Sequence, residues 1–296
     1  MKLGRFHIDA FTDGTFTLDG GQVFGIVPKP LWEKKLPSDA RNRVRMSLTC
    51  LLVQTEKLNV LIETGIGDQF DPKRADIYGV DHSVTSLPAE LQKRNLSPDD
   101  IQIVINTHLH FDHCGWNTRR EGSKWIPMFP RARYFVQRGE WEHAVSPTER
   151  DRASYIEQFF AAAEKQTDFL EGDTELIPGL RVEVVPGHTR YMQAVRISSE
   201  GKQAYFISDL VPTRLHLPYA WMMGFDLYPL ETLENKKRLL PQLAAEGALV
   251  IFPHDLSTPW ARLEERDGTF SAIADSSIAG FFSTQPVDSS TVSVSE

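Results

Sequence analysis

Apolar positions along the chain fall mostly into short runs set between turn residues, with few long helical periods. Ser47 to Gln54 and Leu58 to Ile62 flank Thr55-Glu56-Lys57, which predicts a hairpin, and the second run ends in the Gly-rich acidic turn Glu63-Thr64-Gly65-Ile66-Gly67-Asp68. Before them, Arg5 to Phe11 and Thr15 to Leu18 predict short strands punctuated by Asp13-Gly14 and Asp19-Gly20-Gly21. Val23 to Trp32 is apolar but carries Pro28 and Pro30, which suits a fixed loop better than a helix. Leu87, Leu91 and Leu96 give helical spacing across Val84 to Asn95, and Ser97-Pro98-Asp99-Asp100 supplies the cap, first-turn proline and acidic residues of one short helical turn. The apolar run Ile101 to Ile105 follows.

Further along, Ala132 to Gln137 predicts a strand, and Glu140 to Val145 and Glu149 to Lys165 predict helices. Strands resume at Leu180 to Val185, Gln193 to Ser198 and Gln203 to Ile207. Pro229 to Ala245 predicts a helix with a break near Pro241, and Ala248 to Phe252 a buried strand. Val287 to Glu296 is Ser-rich without an apolar period, so a loose tail is expected at 287–296 after one large domain over 1–286 with an N-terminal strand and loop extension. Strands dominate each half, with helices between and after them.

Composition narrows the function more than the fold. A 41% hydrophobic chain of 296 residues sustains a sizeable core. Thirty-two Lys and Arg against 40 Asp and Glu give a net charge of −8 without a basic run, which disfavours nucleic acid as a partner. Cys50 and Cys114 lack the paired spacing of a zinc knuckle or redox motif, and no disulfide is expected between them. Met1 to Asp9 has no signal-peptide pattern and no run approaches the ~18 apolar residues of a membrane span. A cytoplasmic protein without a membrane partner is the expectation.

The chemistry concentrates in Thr107 to Gly115. His108 and His110 point the same way if the segment is extended, and a turn toward Gly115 presents Asp112 and His113 beside them. A metal site needs three or four ligands from several parts of a chain, so partners are expected just past other strand ends. His188 follows Val184-Val185-Pro186-Gly187, Asp209 follows Ala204 to Ser208, and His254 follows Val250-Ile251-Phe252-Pro253. Seven such side chains suffice for two metals if Asp209 bridges them. His216 has no clear strand before it and reads as a loop histidine, while His7, His82 and His143 read as surface or structural residues; Asp226 and Tyr228 read as braces of an aromatic-rich loop. Imidazole and carboxylate ligands suit zinc, manganese, cobalt and iron alike.

In order and spacing, His108-Leu109-His110-Phe111-Asp112-His113, then His188, Asp209 and His254, resembles the HxHxDH…H…D…H signature of the metallo-β-lactamase superfamily across most of the chain. The resemblance implies an α/β (α+β) fold, a four-layer αβ/βα sandwich with two divalent metal ions, zinc first among them, at one edge of the paired sheets. It assigns one metal to His108, His110 and His188 and the other to Asp112, His113 and His254, with Asp209 spanning both. Within the superfamily, Asp19 to Trp32, Asp209-Leu210-Val211-Pro212-Thr213, Leu217-Pro218 and Trp221-Met222-Met223 are similar to quorum-quenching lactonases, whose relatives include organophosphate hydrolases of the methyl parathion type.

That similarity implies a hydrolase that opens the ring of N-acyl-homoserine lactones by attack of a metal-bridging hydroxide, with Asp112 as the proton shuttle. The alternative is a phosphotriester or aryl-ester hydrolase on the same metals. A di-iron redox protein prefers a carboxylate where His110 stands, a nuclease fits the acidic balance poorly, and a non-catalytic module is expected to have lost ligands. The partner is then a small lactone or ester, with a homodimer left open as the assembly.

Two departures from the family pattern stand out. Its usual Asp-Thr-Gly turn is Glu63-Thr64-Gly65 here, putting the carboxylate that supports the metal loop on a longer stem. Pro212 stands where some lactonases carry a tyrosine, leaving Tyr219 or Tyr191 to replace it. Phe24, Ile26, Phe111, Trp116, Trp221 and Met223, with Tyr219, are the candidates for an acyl-chain pocket. Each also suits plain packing, and what points to a pocket is their number.

Overall fold

Among the described residues, alternation of inward and outward apolar side chains builds two seven-stranded sheets. The computed structural model describes residues 1–273, so the stretch 287–296 and the end of the 1–286 span lie outside the described residues. The first sheet takes β1 (Lys2–Leu3), β2 (Phe6–Asp19), β3 (Arg43–Gln54), β4 (Asn59–Ile62) and β5 (Ile103–Ile105). A separate hairpin, β6 (Thr118–Glu121) and β7 (Lys124–Pro127), precedes β8 (Arg133–Gln137) and β9 (Thr167–Leu170), which complete the first sheet in the order 1-2-3-4-5-8-9. The second sheet runs in sequence order through β10 (Thr174–Ile177), β11 (Leu180–Val184), β12 (Gln193–Ser199), β13 (Lys202–Phe206), β14 (Leu249–Ile251), β15 (Trp260–Arg266) and β16 (Thr269–Ile273). β4, β5 and β8 pair in parallel, as do β13 and β14, so their C-terminal ends open on common edges.

Leu51, Val53, Val60, Ile62 and Ile105 of the first sheet meet Val182, Val195, Ile197, Phe206 and Ile251 of the second in one buried cluster. The intervening residues face outward: Leu52, Leu61 and Val104 pack on Leu87 and Leu91 of a helix, while Tyr205, Val250 and Phe252 pack on Leu239, Leu240 and Leu243 of another. The result is helix, sheet, sheet, helix, the αβ/βα sandwich. The helices are α1 (Gly20–Phe24), α2 (Lys29–Trp32), α3 (Pro72–Tyr78), α4 (Leu87–Lys93), α5 (Phe111–Cys114), α6 (Arg138–Val145) and α7 (Pro229–Ala245). The turn at Ser97 forms as expected, closed by a capping box with Asp100. Cys50 and Cys114 are buried and free. Among the described residues, no helix is long and apolar enough to cross a membrane.

Four local expectations change. Asp13-Gly14 does not divide two strands: β2 runs through it with a register shift between Thr12 and Thr15, and Gly14 takes the φ of 101° that this bulge requires. Val23 to Trp32 is not all loop, because Asp19 caps α1 by accepting from the Gly21 and Gln22 amides, and Pro28 and Pro30 fall at the start of α2, where proline is tolerated. Glu149 to Lys165 is not one helix but a turn followed by 3-10 segments at Glu157–Phe159 and Ala161–Gln166. The Ser154 carbonyl accepts from the Phe111 amide at 2.9 Å rather than from a donor one helical turn on, and Tyr155, Ile156, Phe159 and Phe160 join one buried cluster. The break near Pro241 is absent; α7 continues through it, anchored on both sides by Leu239, Leu240 and Leu243.

Candidate metal centre

Loops leaving β4, β5, β13 and β14, together with the segment after β11, meet at one edge of the sandwich. The single helical turn of α5 swings Asp112 and His113 beside His108 and His110. Close packing below makes the turn tight, since a Cβ on Gly115 would stand 2.0 Å from the Ile66 carbonyl carbon.

Ligand-capable atoms of His108, His110 and His188 lie within 4.8 Å of one another, and so do those of Asp112, His113 and His254. His188 Nε2 is 3.0 Å from His110 Nδ1, and His254 Nε2 is 3.3 Å from His113 Nε2 and 3.6 Å from Asp112 Oδ2. Between the two groups, Asp209 places Oδ2 3.3 Å from His188 Nε2 and Oδ1 3.2 Å from His254 Nε2. The structure thus brings together all seven side chains selected from the sequence.

Neighbouring groups fix the rings. His108 Nδ1 shares a 3.0 Å hydrogen bond with Thr107 Oγ1, His188 Nδ1 a 3.0 Å one with Asp226 Oδ1, and His254 Nδ1 lies 2.8 Å from the Ser47 carbonyl. Each of these rings keeps its other nitrogen for the centre. Glu63 supports the loop from its longer stem, accepting from the Thr107 amide at 2.9 Å and setting Oε2 3.6 Å from His113 Nδ1.

Glu140, which sequence reasoning passed over, is fully buried and accepts from the Leu109 amide at 3.1 Å, Thr189 Oγ1 at 2.7 Å and the Tyr155 hydroxyl at 3.1 Å. Asp226 proves to be buried and tied to His188, more than a brace of its own loop. Neither carries a spacing signal, because its partners are remote in sequence.

Burial pushes His108 and His110 well below the usual histidine range, and the surrounding imidazoles add to it. Burial also opposes protonation of His113, yet Asp112, Asp209 and Glu63 raise it well above that range. Against its own burial, Asp209 is held well below the carboxylate range by His254, His113 and His188. Three acidic groups therefore make this dry edge attractive to positive charge. His108 Nε2, His110 Nε2 and Asp209 Oδ1 are buried without a hydrogen-bond partner, so the donor set fits divalent cations held by nitrogen and oxygen.

Above these residues opens a cavity of about 530 Å³ whose base includes His110, Asp112, His188, Asp209 and His254. Ile26, Phe111 and Met223, chosen from the sequence, line it, along with Leu18, Met46, Tyr78, Phe225 and Leu227. Phe24, Trp116, Tyr219 and Trp221 do not. Phe24 stacks between Trp32 and His216 with ring centroids at 5.1 and 5.0 Å, and Trp221 meets its edge at 5.8 Å, forming a layer behind the wall. Trp116 donates its indole N–H to Asp13 in the core, and Tyr219 packs on Phe270. Tyr191 lies outside the lining, 38% exposed. His216 is structural: it is buried, hydrogen-bonded to the Val23 carbonyl, and burial holds it down to about 4.

A profile of the metallo-beta-lactamase superfamily matches residues 45–266. A probable metal-dependent hydrolase from Staphylococcus aureus superposes at a TM-score of 0.86 with 30% identity, over 93% of this chain and 99% of its own. The N-acyl homoserine lactonase of Bacillus thuringiensis is 26% identical over 227 residues, 72% of this chain and 83% of that one. The dizinc quorum-quenching lactonase AidC, solved with a product N-hexanoyl-L-homoserine, superposes at 0.77 with 21% identity over 93% and 96% of the two chains.

Proposed function

The chain belongs to the metallo-beta-lactamase superfamily, and from that premise we propose that it is a dinuclear metal-dependent hydrolase opening the lactone ring of N-acyl-homoserine lactones. The observation that carries this is one carboxylate, Asp209, spanning two groups of three side chains beneath an apolar-walled cavity. Curated lactonase relatives support the choice of substrate. His108, His110 and His188 would hold one cation and Asp112, His113 and His254 the other, with Asp209 within reach of both groups. Divalent cations so held supply Lewis acidity, polarising a carbonyl and bringing the pKa of an adjacent water toward neutrality. Zinc heads the candidates, with manganese, cobalt and iron suited to the same donors.

The chain's own part is to bind, orient and move a proton. Leu18, Met46, Phe111, Met223 and Leu227 take the acyl chain and exclude water from the base of the cavity. Hydrolysis breaks the bond between carbonyl carbon and ring oxygen, leaving a carboxylate and a hydroxyl. Asp112 reaches the cavity and passes the proton to the departing ring oxygen. Pro212 offers no hydroxyl, and the tyrosine that lines the cavity is Tyr78. Burial and the nearby Asp112 charge raise its pKa, so it stays protonated and donates to the substrate.

Metal analysis and a proton-release assay on hexanoyl- and decanoyl-homoserine lactones test this. The expected result is two divalent cations per chain with ring opening, both lost in His110→Ala. A fully metallated, fully active His110→Ala protein sinks the assignment, and turnover of a paraoxon-like triester without ring opening replaces the substrate class.

A further inference from the structure

Residues 216–228 form the loop that gives Met223, Gly224, Phe225 and Leu227 to the cavity wall and Asp226 to His188. Its second half is tied directly to the site: the Leu227 amide donates to the His188 carbonyl at 3.1 Å and the Tyr228 amide to the Gly187 carbonyl at 2.8 Å. Carbonyls of its first half converge instead on one side chain. Lys236 Nζ donates to the carbonyl oxygens of His216 (2.6 Å), Pro218 (2.7 Å) and Trp221 (2.9 Å), with Tyr219 at 3.4 Å. Lys236 is fully buried on α7, in line with Thr232, Leu239, Leu240 and Leu243.

An ammonium in such a place is costly unless its protons are all accepted, and three N–H groups facing four carbonyls meet that condition. Burial pushes its pKa down to about 7, while Asp226 on the same loop favours its charge. The clasp reaches the adjoining wall at α1 as well, where the Gly224 amide donates to the Gln22 carbonyl at 2.8 Å. Trp221, held through its carbonyl, meets Phe24 of α1, whose neighbours Gln22 and Gly25 line the cavity.

We propose that Lys236 is a positioning residue for substrate selection: by clasping 216–221 it fixes the wall at 223–227 and so sets how long an acyl chain the cavity accepts. The kinetic consequence rests on the lactonase reading of the site; the clasp itself does not.

Two arms separate these. Lys236→Met keeps the aliphatic stem and removes the donors; Leu243→Ala loosens the same helix and leaves the clasp intact. By hydrogen exchange, amides of 217–226 should exchange about tenfold faster in Lys236→Met and remain near wild type in Leu243→Ala. With metal content unchanged, KM for decanoyl-homoserine lactone should rise about tenfold in Lys236→Met with kcat within about twofold, and the ratio of kcat/KM for the decanoyl to the hexanoyl substrate should fall. If Lys236→Met does not fold, Lys236→Gln, which keeps two N–H donors on a stem one bond shorter, should show a smaller rise in exchange in the same direction. Unchanged exchange overturns the clasp, and an equal KM shift in Leu243→Ala overturns its role in selection. A wild-type protein that opens no lactone overturns the functional reading, with the exchange arm still deciding the clasp.

Discussion

At His188 the imidazole lies between two carboxylates, Asp226 Oδ1 at 3.0 Å from Nδ1 and Asp209 Oδ2 at 3.3 Å from Nε2. A partner on one nitrogen fixes ring orientation and tautomer, leaving the other lone pair for a cation. Asp226→Ala is therefore expected to weaken metal binding by about 10- to 100-fold, the usual cost of losing such a partner. Chelator competition measures it, and an unchanged affinity would remove Asp226 from the centre. Glu63 shows the same logic one shell away: its stem is longer than the aspartate of the family pattern, yet it reaches the Thr107 amide at 2.9 Å. It does so from a left-handed backbone, φ 63°.

Among the elements, β2 does more than pair with its neighbours. Its bulge brings Asp13 inside, where the carboxylate accepts from the Ile66, Gly67 and Leu87 amides and from the Trp116 indole, tying β2 to the turn after β4, to α4 and to the segment after α5. His82 stands 3.5 Å from the same carboxylate. Burial lowers the His82 pKa, but the nearby carboxylate of Asp13, with that of Asp68, outweighs it and leaves the value above the ordinary 6.5. A raised histidine pKa in the folded state means more protons bound there than in the unfolded chain. The stabilisation is full below about 6.5 and is lost as pH climbs through the raised folded value. Denaturant midpoints taken at several pH values should fall across that window in the wild type, and His82→Ala should flatten the fall. The same slope in both proteins would contradict the pairing.

For the whole molecule, seven ligand-type side chains from four parts of the chain meet only when both sheets are assembled. Cations bound there bind the folded state selectively, so they stabilise it by mass action, by about 4 kcal/mol at a thousandfold excess over Kd. Chelation is expected to lower Tm and divalent metal to restore it, with His110→Ala indifferent to both; a Tm insensitive to chelator would speak against a native centre. What the sequence determined alone was whatever obeys a local rule: the run His108 to His113, the strands preceding His188, Asp209 and His254, the Ser97 cap and the period-two core of the sandwich. Even Lys236 left a trace, a cation at an apolar position of a helical face. Tertiary structure alone decided which aromatics face the cavity and which stand behind it, and that Asp226, Glu140 and Asp13 serve the site. Hydrophobicity and spacing are properties of neighbours along the chain, whereas a buried carboxylate acquires its role from donors that only folding brings within hydrogen-bonding reach of it.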